Sequence, residues 1–244
     1  MKILAVIPAR YASTRLPAKP LADIEGKPMI QWVYEAVKAC ASVSRVIVAT
    51  DDLRILDAVL GFGGMAEMTS ESHMNGTARC AEVAGRHTDH DYIINVQGDE
   101  PLINPEHLEK LIGLLASDTQ IATLYRKLED EESIIDPAQV KVVKDNSDRA
   151  LYFSRSAIPF NRDSGPVDYY GHIGLYAFKR DILEQLILLP ASSLELAENL
   201  EQLRWLEHGY RIQLAEIDEP APSVDTPEGL EKVRALMRVR LNKA

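Results

Sequence analysis

Short apolar runs alternate with amphipathic segments through the first half of the chain, and this alternation constrains the fold more than any other feature. Residues 2–7, 45–50 and 91–97 are rich in apolar and β-branched side chains, which is typical of strands buried on both faces. The segments between them carry apolar residues at helical spacing, as in the stripe from Met29 to Cys40. Strict alternation of strand and helix implies right-handed crossovers, so we predict an α/β fold with a mostly parallel central sheet.

The second half of the chain has a different pattern. Residues 139–144 and 150–155 flank a turn-forming cluster at 145–148, which predicts an antiparallel hairpin. We also expect a strand at 172–178 and a helix at 193–208. The buried stripe of that helix is predicted to be Leu196, Leu200, Leu203 and Leu206. The parallel sheet is therefore expected to carry an antiparallel elaboration.

No linker rich in Gly, Ser or Pro separates the two halves, so we predict a single domain over residues 1–244. Within it, residues 1–135 would form the ligand-binding half-sheet and residues 136–225 the elaboration. Residues 226–244 would form a closing helix, because Pro227 stands where helices begin and an amphipathic pattern follows it.

The charge balance limits the partners. Lys and Arg number 27 and Asp and Glu number 37, so the formal net charge is −10. This argues against a general nucleic-acid binder. An acidic protein that binds an anionic ligand needs a local basic patch or a metal ion, because its overall field repels the ligand.

The cysteines and the hydropathy pattern indicate the cellular compartment in which the protein is expected. Cys40 and Cys80 lie in predicted helices, where each is best interpreted as a small buried hydrophobic residue, with no disulfide framework and no zinc site. No run reaches the length of a membrane span, and the first apolar run is too short for a signal segment. We expect a cytoplasmic protein without a membrane partner.

A stiff basic loop follows the first predicted strand. Arg10, Arg15 and Lys19 place three cations on it, and its prolines restrict the backbone. Ligands bind at the carboxyl ends of strands in open α/β sheets, so we hypothesise a triphosphate cradle that includes Pro8 and Ala9. The same residues also fit an ordinary solvated basic loop. The sequence has no G-x-x-x-x-G-K-[ST] motif and no G-x-G-x-x-G after the first strand, which excludes a P-loop and an ordinary dinucleotide fold.

Two carboxylates are candidate metal ligands. Asp99 stands just past the predicted strand 91–97, where it would project into the same crevice as the basic loop. Proteins typically hold Mg²⁺ with one or two carboxylates plus substrate oxygens, and Asp225 is a possible second ligand. Simpler interpretations remain for both residues. Gly98 and Asp99 are good turn formers, and Asp225 or Thr226 fits the N-cap of the closing helix.

Two further groups of polar residues are candidates for ligand contacts. The loop 73–79 enters a predicted helix with Thr77 as its cap, and backbone N–H groups at such a terminus suit an anion or a base edge. In the second half, the polar residues on predicted strands or off the leucine stripe are Arg155, His172, Tyr176, Glu201, Gln202 and Arg204. Each one alone fits a surface or bridging role, whereas together they suit a pocket for a polyhydroxy acid.

These segments together resemble the motifs of one family. In order, the chain carries IPARYASTRLPAKPL (7–21), GKPMI (26–30), IVATDD (47–52), NVQGDEP (95–101), VKVV (140–143), ALYFSRSAIP (150–159), HIGLYAF (172–178), LEQLR (200–204) and VDTPEGLEKVR (224–234). They span nearly the whole chain and are similar to those of the 3-deoxy-manno-octulosonate (Kdo) cytidylyltransferases. The more distant sialate cytidylyltransferases share only the first loop type.

The resemblance implies a sheet of the nucleotide-diphospho-sugar transferase type and a definite reaction. CMP would pass from CTP to the anomeric hydroxyl of Kdo, or of its 8-amino analogue, with release of pyrophosphate, to activate the sugar for lipopolysaccharide assembly. Mg²⁺ as cofactor and a homodimer with contacts near residues 150–155 are also implied. The alternatives are a sialate-type cytidylyltransferase, which the order of motifs disfavours, and a non-catalytic sensor of CTP or a sugar acid.

The resemblance also implies roles for individual residues. Arg10, Arg15 and Lys19 match the loop that holds the CTP phosphates, and Gln97 matches a position near the nucleotide. Asp99 and Asp225 match the Mg²⁺ carboxylates. The predicted catalytic set is therefore Arg10, Lys19, Asp99 and Asp225. The positions around the acidic sugar are matched by Arg155, His172, Tyr176, Glu201 and Gln202.

The chain departs from the family pattern in one loop. The usual loop reads S-G-T-[DE]-R, whereas this chain has Asn75-Gly76-Thr77-Ala78-Arg79. An amide replaces a hydroxyl and a methyl group replaces an acid, which either alters a ligand pocket or is neutral, and leaves the choice between Kdo and 8-amino-Kdo open. In this segment we assign His73, Gly76 and Thr77 to the nucleotide and Arg79 to the sugar.

Overall fold

The computed structural model describes residues 1–12, 16–163 and 165–242. In chain order, the strands are β1 (Ile3–Ala9), β2 (Asp23–Ile24), β3 (Lys27–Pro28), β4 (Arg45–Thr50), β5 (Ala66–Met68), β6 (Tyr92–Asn95), β7 (Ile121–Leu128), β8 (Lys141–Lys144), β9 (Ala150–Ser154), β10 (Tyr169–Lys179) and β11 (Ile212–Glu216). The helices are α1 (Met29–Lys38), α2 (Leu53–Gly61), α3 (Gly76–Arg86), α4 (Pro105–Ile112), α5 (Glu131–Ile135), α6 (Arg180–Leu186), α7 (Ser193–Glu198), α8 (Glu201–Glu207) and α9 (Pro227–Leu241).

The first of two compact units comprises Met1–Glu109 and Ala221–Ala244 and carries a parallel sheet in the order β6-β1-β4-β5. β1 pairs in parallel with both β4 and β6, with Ala9 opposite Thr50 and Val6 opposite Asn95. Its apolar side chains are almost completely buried, because the strand is covered on both faces. Since parallel strands end at the same edge of a sheet, the segments that follow β1 and β6 lie close together.

The closing helix belongs to the same unit. α9 begins at Pro227, as predicted, and its apolar side chains pack on the segment around β2 and the start of α1. The buried residues of this cluster are Ile24, Met29, Val224, Leu230, Val233 and Met237. Burial of Val224 fixes the chain immediately before α9, which is where Asp225 stands.

The second unit comprises Lys110–Pro220 and is built on β7. β7 pairs antiparallel with β10 and parallel with β11, and β8 pairs antiparallel with both β10 and β9. The predicted hairpin of β8 and β9 is confirmed. The α/β class with a parallel half and an antiparallel elaboration is confirmed as well, whereas the single domain over residues 1–244 stays a prediction.

The helix predicted over residues 193–208 is wrong in one respect. It is split into α7 and α8 at Asn199, whose left-handed backbone conformation, with φ of 52°, ends α7. The break rotates the second segment relative to the first. Leu196, predicted to be buried, is therefore 72% exposed, whereas Leu203 is fully buried.

The cysteine and hydropathy expectations can be compared with the structure. Cys40 and Cys80 are both free and buried, as expected for small hydrophobic residues. Across residues 1–12, 16–163 and 165–242, no helix has the length and apolar character needed to cross a membrane.

Candidate active site

A cleft of about 350 Å³ opens in the first unit, where the segments after β1 and β6 meet. Its lining consists of Pro8, Ala9, Arg10, Ala12, Lys19, Pro20, Gln97, Gly98, Asp99 and Asp225. The basic loop, the segment after β6 and Asp225, two residues before α9, thus converge, as expected at the carboxyl edge of an open parallel sheet. Arg15, predicted to join them, lies outside the described residues.

Lys19 links the two predicted metal carboxylates. Its Nζ lies 2.6 Å from Oδ2 of Asp99 and 3.2 Å from Oδ1 of Asp225. The side chains of Lys19 and Asp99 are only 17% and 22% exposed, so these charges are less screened than surface charges. The backbone N–H of Val224 donates to the carbonyl oxygen of Asp99 at 2.8 Å, which ties the two acidic segments together. Both carboxylates therefore face one point in the cleft.

Capping does not explain the position of Asp225. The N-cap of α9 is Thr226, whose hydroxyl accepts a hydrogen bond from the N–H of Gly229 at 3.1 Å. Of the two cap candidates in the sequence, the cap is thus the threonine. The carboxylate of Asp225 is directed to Lys19 instead.

The carboxylate pair fits a Mg²⁺ ion that shares its ligands with a substrate. Among the described residues, no group of three or more His, Cys, Asp or Glu side chains is arranged to hold a metal. Mg²⁺ usually takes one or two carboxylates and completes its shell with water and phosphate oxygens, so Asp99 and Asp225 are chemically sufficient. The ammonium of Lys19 between them indicates that this point accepts positive charge.

Glu100, which was not among the predicted site residues, has a raised pKa. Burial raises the pKa of Glu100 to about 8, and the negative charge of Asp99 adds to the shift. The carboxyl group of Glu100 is therefore mostly protonated at neutral pH. It adds little negative charge beside Asp99.

Backbone carbonyls orient Arg10. Its Nη2 donates to the carbonyl oxygen of His73 and lies 3.5 Å from that of Asn75. Burial lowers the pKa of Arg10, the charge of Arg79 lowers it further, and Asp51 opposes the shift. Because the orienting carbonyls are neutral, they do not cancel the charge of the guanidinium, which suits an anionic ligand.

The loop that departs from the family pattern forms the start of α3. Asn75 is the N-cap, and its Oδ1 accepts a hydrogen bond from the N–H of Ala78 at 2.9 Å. The prediction that Thr77 is the cap is wrong, because α3 begins at Gly76 and places Thr77 in its first turn. Asn and Ser are about equally good N-caps. The asparagine therefore preserves the cap that a serine would provide.

Two glycines lie against the end of β1, and the close approach requires the absence of a side chain at Gly98. A Cβ added to Gly98 would lie 2.8 Å from the carbonyl oxygen of Pro8, which is too close for any side chain. A Cβ added to Gly76 would lie 3.4 Å from Cγ of Pro8. Gly76, predicted to bind the nucleotide, therefore lies against the end of β1.

Arg79 is placed in the interior of the first unit. Its side chain is fully buried and donates to Oδ2 of Asp51 and to Oγ1 of Thr69, each at 2.5 Å. This pairing joins the end of β4 to the loop that precedes α3. The assignment of Arg79 to the sugar stays a prediction.

His172 and Tyr176, in the second unit, lie within an aromatic cluster. The register of β10 on β7 shifts between Ile173 and Tyr176, and this bulge brings the His172 and Tyr176 ring centroids to 5.2 Å. In a regular strand, the Cα atoms of residues four positions apart are separated by roughly 13 Å. Phe153 packs edge-on against His172 at 5.0 Å, and Trp205 packs edge-on against Tyr176 at 5.3 Å.

The cluster keeps both of these side chains neutral at physiological pH. Burial lowers the pKa of His172 to about 3, and its Nε2 lies 3.2 Å from the hydroxyl of Thr123. Burial raises the pKa of Tyr176 well above its ordinary value, and the negative charge of Glu201 adds to the shift. Neutral hydrogen-bonding groups of this kind suit a hydroxyl-rich ligand.

The other residues predicted for the sugar lie on neighbouring segments of the same unit. Arg155 directly follows β9, and its guanidinium donates to three backbone carbonyls, the nearest being that of Glu198 at 2.7 Å. Glu201 and Gln202 begin α8, where Gln202 is 6% exposed and Glu201 lies 3.5 Å from Arg204. Contact of these residues with a sugar stays a prediction.

Sequence reasoning missed Asp51 and Glu82, which contact predicted site residues, and the buried carboxyl group of Glu100 beside Asp99. Asp51 pairs with Arg79, and Glu82 contacts His73. Each was embedded in a recognised motif or helix, but no local signal distinguishes such a carboxylate from one exposed to solvent. Their partners become visible only when the chain is folded.

Nearly the whole chain is similar in sequence to known proteins. The family model described as Cytidylyltransferase matches residues 4–212. A 3-deoxy-manno-octulosonate cytidylyltransferase from Fusobacterium nucleatum is 50% identical over 235 residues, which cover 96% of each protein. A protein of the same name from Geotalea uraniireducens is 51% identical over an alignment of 246 positions, gaps included, which covers 96% of this chain and 98% of the relative.

A solved structure shows the same likeness in three dimensions. The structure of CMP:2-keto-3-deoxy-manno-octonic acid synthetase complexed with CTP matches with a TM-score of 0.95 and 48% identity. The match covers 98% of this chain and 100% of that chain. The likeness in sequence and in fold therefore extends over nearly the full length.

Proposed function

This chain belongs to the cytidylyltransferase family, and from that premise we propose that it transfers CMP from CTP to the anomeric hydroxyl of Kdo and releases pyrophosphate. The observation that carries the proposal is the cluster of Lys19, Asp99 and Asp225 in a cleft that also contains Arg10. Similarity to relatives named for this sugar, and to a synthetase complexed with CTP, supports both substrates. The product would supply activated sugar for lipopolysaccharide assembly.

The residues of the cleft suit the handling of a triphosphate. The protein is acidic overall, so local cations must offset the charge of CTP, and Arg10 and Lys19 provide them. In the reaction, the anomeric hydroxyl releases its proton to water and its oxygen attacks the α-phosphorus in line. A new oxygen–phosphorus bond forms while the bond from the α-phosphorus to the bridging oxygen breaks, and pyrophosphate leaves with the negative charge. Cations already oriented beside the leaving group stabilise that charge as it develops.

We propose Mg²⁺ as the cofactor, with Asp99 and Asp225 as its protein ligands. When bound there, the ion supplies positive charge to the triphosphate and lowers the pKa of the attacking hydroxyl. The two carboxylates converge on one ammonium in the cleft, which supports their use as a shared cation site. Lys19 balances part of their charge.

The sugar acid is proposed to be held by the polar residues of the second unit, namely Arg155, His172, Tyr176, Glu201 and Gln202. Neutral His172 and Tyr176 fit hydroxyl groups, and the buried amide of Gln202 can both donate and accept. Asn75 keeps the helix cap that a serine would form, so this departure does not by itself require a different sugar. Kdo is therefore the proposed substrate, and 8-amino-Kdo is the alternative to be tested.

We further propose that the protein is a cytoplasmic homodimer. Leu151, on β9, is 59% exposed, and Phe160, shortly after that strand, is 87% exposed, so apolar surface is available in the segment predicted to form dimer contacts. The two free, buried cysteines fit a reducing compartment.

A pyrophosphate-release assay tests the function. The protein is incubated with CTP and Mg²⁺ in four parallel reactions that contain Kdo, 8-amino-Kdo, sialic acid or no sugar. We expect release with Kdo, and we expect chelation of the metal to abolish it. CTP binding without release in any reaction would indicate a sensor instead. Release with sialic acid alone would indicate the sialate-type activity.

A further inference from the structure

A carboxylate outside the cleft holds the loop that orients Arg10. Glu82 lies on α3, and both of its oxygens accept hydrogen bonds. Its Oε2 accepts from the backbone N–H of Ser70 at 2.9 Å and also contacts Nε2 of His73. Its Oε1 accepts from the guanidinium of Arg86. Glu82 therefore ties both ends of residues 70–73 to α3.

Arg86, which holds Oε1 of Glu82, is itself held by other residues. Arg86, one helical turn further along α3, donates to Glu67 on β5 at 3.1 Å and to the carbonyl oxygen of Met68 at 2.9 Å. Glu67 also contacts His87 at 2.5 Å. The carboxylate of Glu82 is thus fixed by a strand and a helix, both parts of the scaffold of the first unit.

His73 connects this network to the cleft. Its ring contacts Glu82, while its backbone carbonyl accepts a hydrogen bond from Arg10. The ring therefore carries its proton on Nε2, since a carboxylate accepts it. The side chains of His73 and Glu82 are only 19% and 25% exposed, so solvent screens their contact less than it would at the surface. A shift of Glu82 would move the carbonyl that orients Arg10.

Glu82 is charged in this arrangement. Burial acts to raise the pKa of Glu82, but the N–H of Ser70, the ring of His73 and the charge of Arg86 outweigh it, so the pKa is lowered. Hydrogen bonds to an ionised acceptor are stronger and more directional than those between neutral groups. The loop is therefore held by charge-assisted bonds.

We propose that Glu82 is a positioning residue for CTP, which acts by fixing residues 70–75 so that the carbonyls of His73 and Asn75 aim Arg10 at the triphosphate. Glu82 does not line the cleft and would touch no substrate. The inference rests on the proposed function, because it requires Arg10 to be a CTP ligand. A purely structural role would lower stability without changing CTP affinity selectively.

Glu82→Gln tests the proposal, with Glu109→Gln as its matched control. Each variant neutralises a helical carboxylate that accepts hydrogen bonds from a loop, but only Glu82 contacts residues 70–73, whereas Glu109 on α4 contacts Ser42, away from the cleft. The dissociation constant for CTP is measured by calorimetry, and the KM for the sugar acid by pyrophosphate release. We expect Glu82→Gln to weaken CTP binding about tenfold, since one charge-assisted hydrogen bond is worth roughly that factor. The KM for the sugar should change less than about twofold, and Glu109→Gln should leave both values near wild type.

A second measurement tests whether the effect of Glu82 on CTP binding depends on Arg10. In an Arg10→Ala background, Glu82→Gln should weaken CTP binding no further. An additional tenfold loss would show that Glu82 does not act through Arg10. If Glu82→Gln does not fold, Glu82→Asp, which keeps the charge but shortens its reach, should weaken CTP binding at least threefold. CTP affinity equal to wild type in a folded Glu82 variant would overturn the proposal. A wild-type protein that releases no pyrophosphate would instead overturn the proposed function.

Discussion

Asp99 and Asp225 share one ammonium, that of Lys19, and this sharing supports the proposed cation site in the cleft. Lys19 offsets one of the two negative charges, and Glu100 contributes little charge because its pKa is raised to about 8. Lys19 alone therefore leaves one negative charge on the pair of carboxylates. We propose that a divalent cation binds at this point, and that the cation together with Arg10 enables this acidic protein to accept a triphosphate.

Replacement of Asp99 is the sharpest residue-scale prediction for catalysis. Asp99→Asn keeps the size of the side chain but removes the charge, and we expect kcat to fall by at least about 10²-fold, the typical cost of losing one preorganised electrostatic group. The measurement is pyrophosphate release at saturating Mg²⁺. Asp89→Asn, which removes an exposed carboxylate paired with Lys2, is the control and should retain wild-type kcat. A near-normal kcat for Asp99→Asn would exclude Asp99 as a metal ligand.

The buried ring of His172 predicts a pH dependence of stability. Its pKa is about 3 in the folded protein against an ordinary value of 6.5. Between these values the unfolded chain binds a proton that the folded protein does not, so stability is lost as the pH falls below 6.5. From pH 7 to pH 5, the free energy of unfolding of the wild type should decrease relative to that of His172→Gln by up to about 2 kcal/mol. Denaturant titrations at the two pH values measure this difference, and parallel losses in both proteins would contradict it.

At the scale of elements, β10 and α3 each determine how one group of predicted ligand contacts is arranged. The bulge in β10 brings His172 next to Tyr176, which a regular strand would keep apart. The first turn of α3 lies against the end of β1, and its cap comes from Asn75. Both features depend on one or two residues, yet each positions an entire group of predicted ligand contacts.

The cap of α3 can be tested by substitution. Asn75→Ala removes the acceptor for the N–H of Ala78, and we expect the free energy of unfolding to fall by about 1 kcal/mol. Asn75→Ser should stay within a few tenths of a kcal/mol of wild type, because serine caps as well as asparagine does. Urea unfolding measures both. Equal destabilisation by serine and alanine would show that the amide of Asn75 has a role beyond capping.

The homodimer is a prediction at the scale of the whole molecule. We expect a species of twice the 27.2 kDa chain mass in sedimentation equilibrium. Leu151→Glu should shift it towards the monomer, because a charge would be placed on an exposed apolar residue of β9 in the predicted contact segment. Leu60→Glu, at a similarly exposed leucine of α2, is the control and should remain dimeric. A wild-type monomer at micromolar concentration would contradict the prediction.

The parallel half-sheet could be predicted because buried parallel strands require continuous apolar runs, and those runs are visible in residues 2–7 and 45–50. The cap of α3 was misplaced because Asn75 and Thr77 are both cap-forming residues only two positions apart. The exposure of Leu196 was missed because it depends on the left-handed conformation of Asn199, which the leucine spacing does not reveal.

By itself, the sequence determined the class of fold and the family, and it named Arg10, Lys19, Asp99 and Asp225 as the candidate residues of the cleft. Only the tertiary structure decided that Lys19 bridges the two carboxylates, which lie 80 and 206 positions away from it along the chain. It also decided that Arg79 is buried and that Glu82 contacts residues 70–73, the loop whose His73 carbonyl accepts a hydrogen bond from Arg10. The physical reason is that local spacing encodes helices and strands, whereas contacts between distant residues depend on strand register and packing.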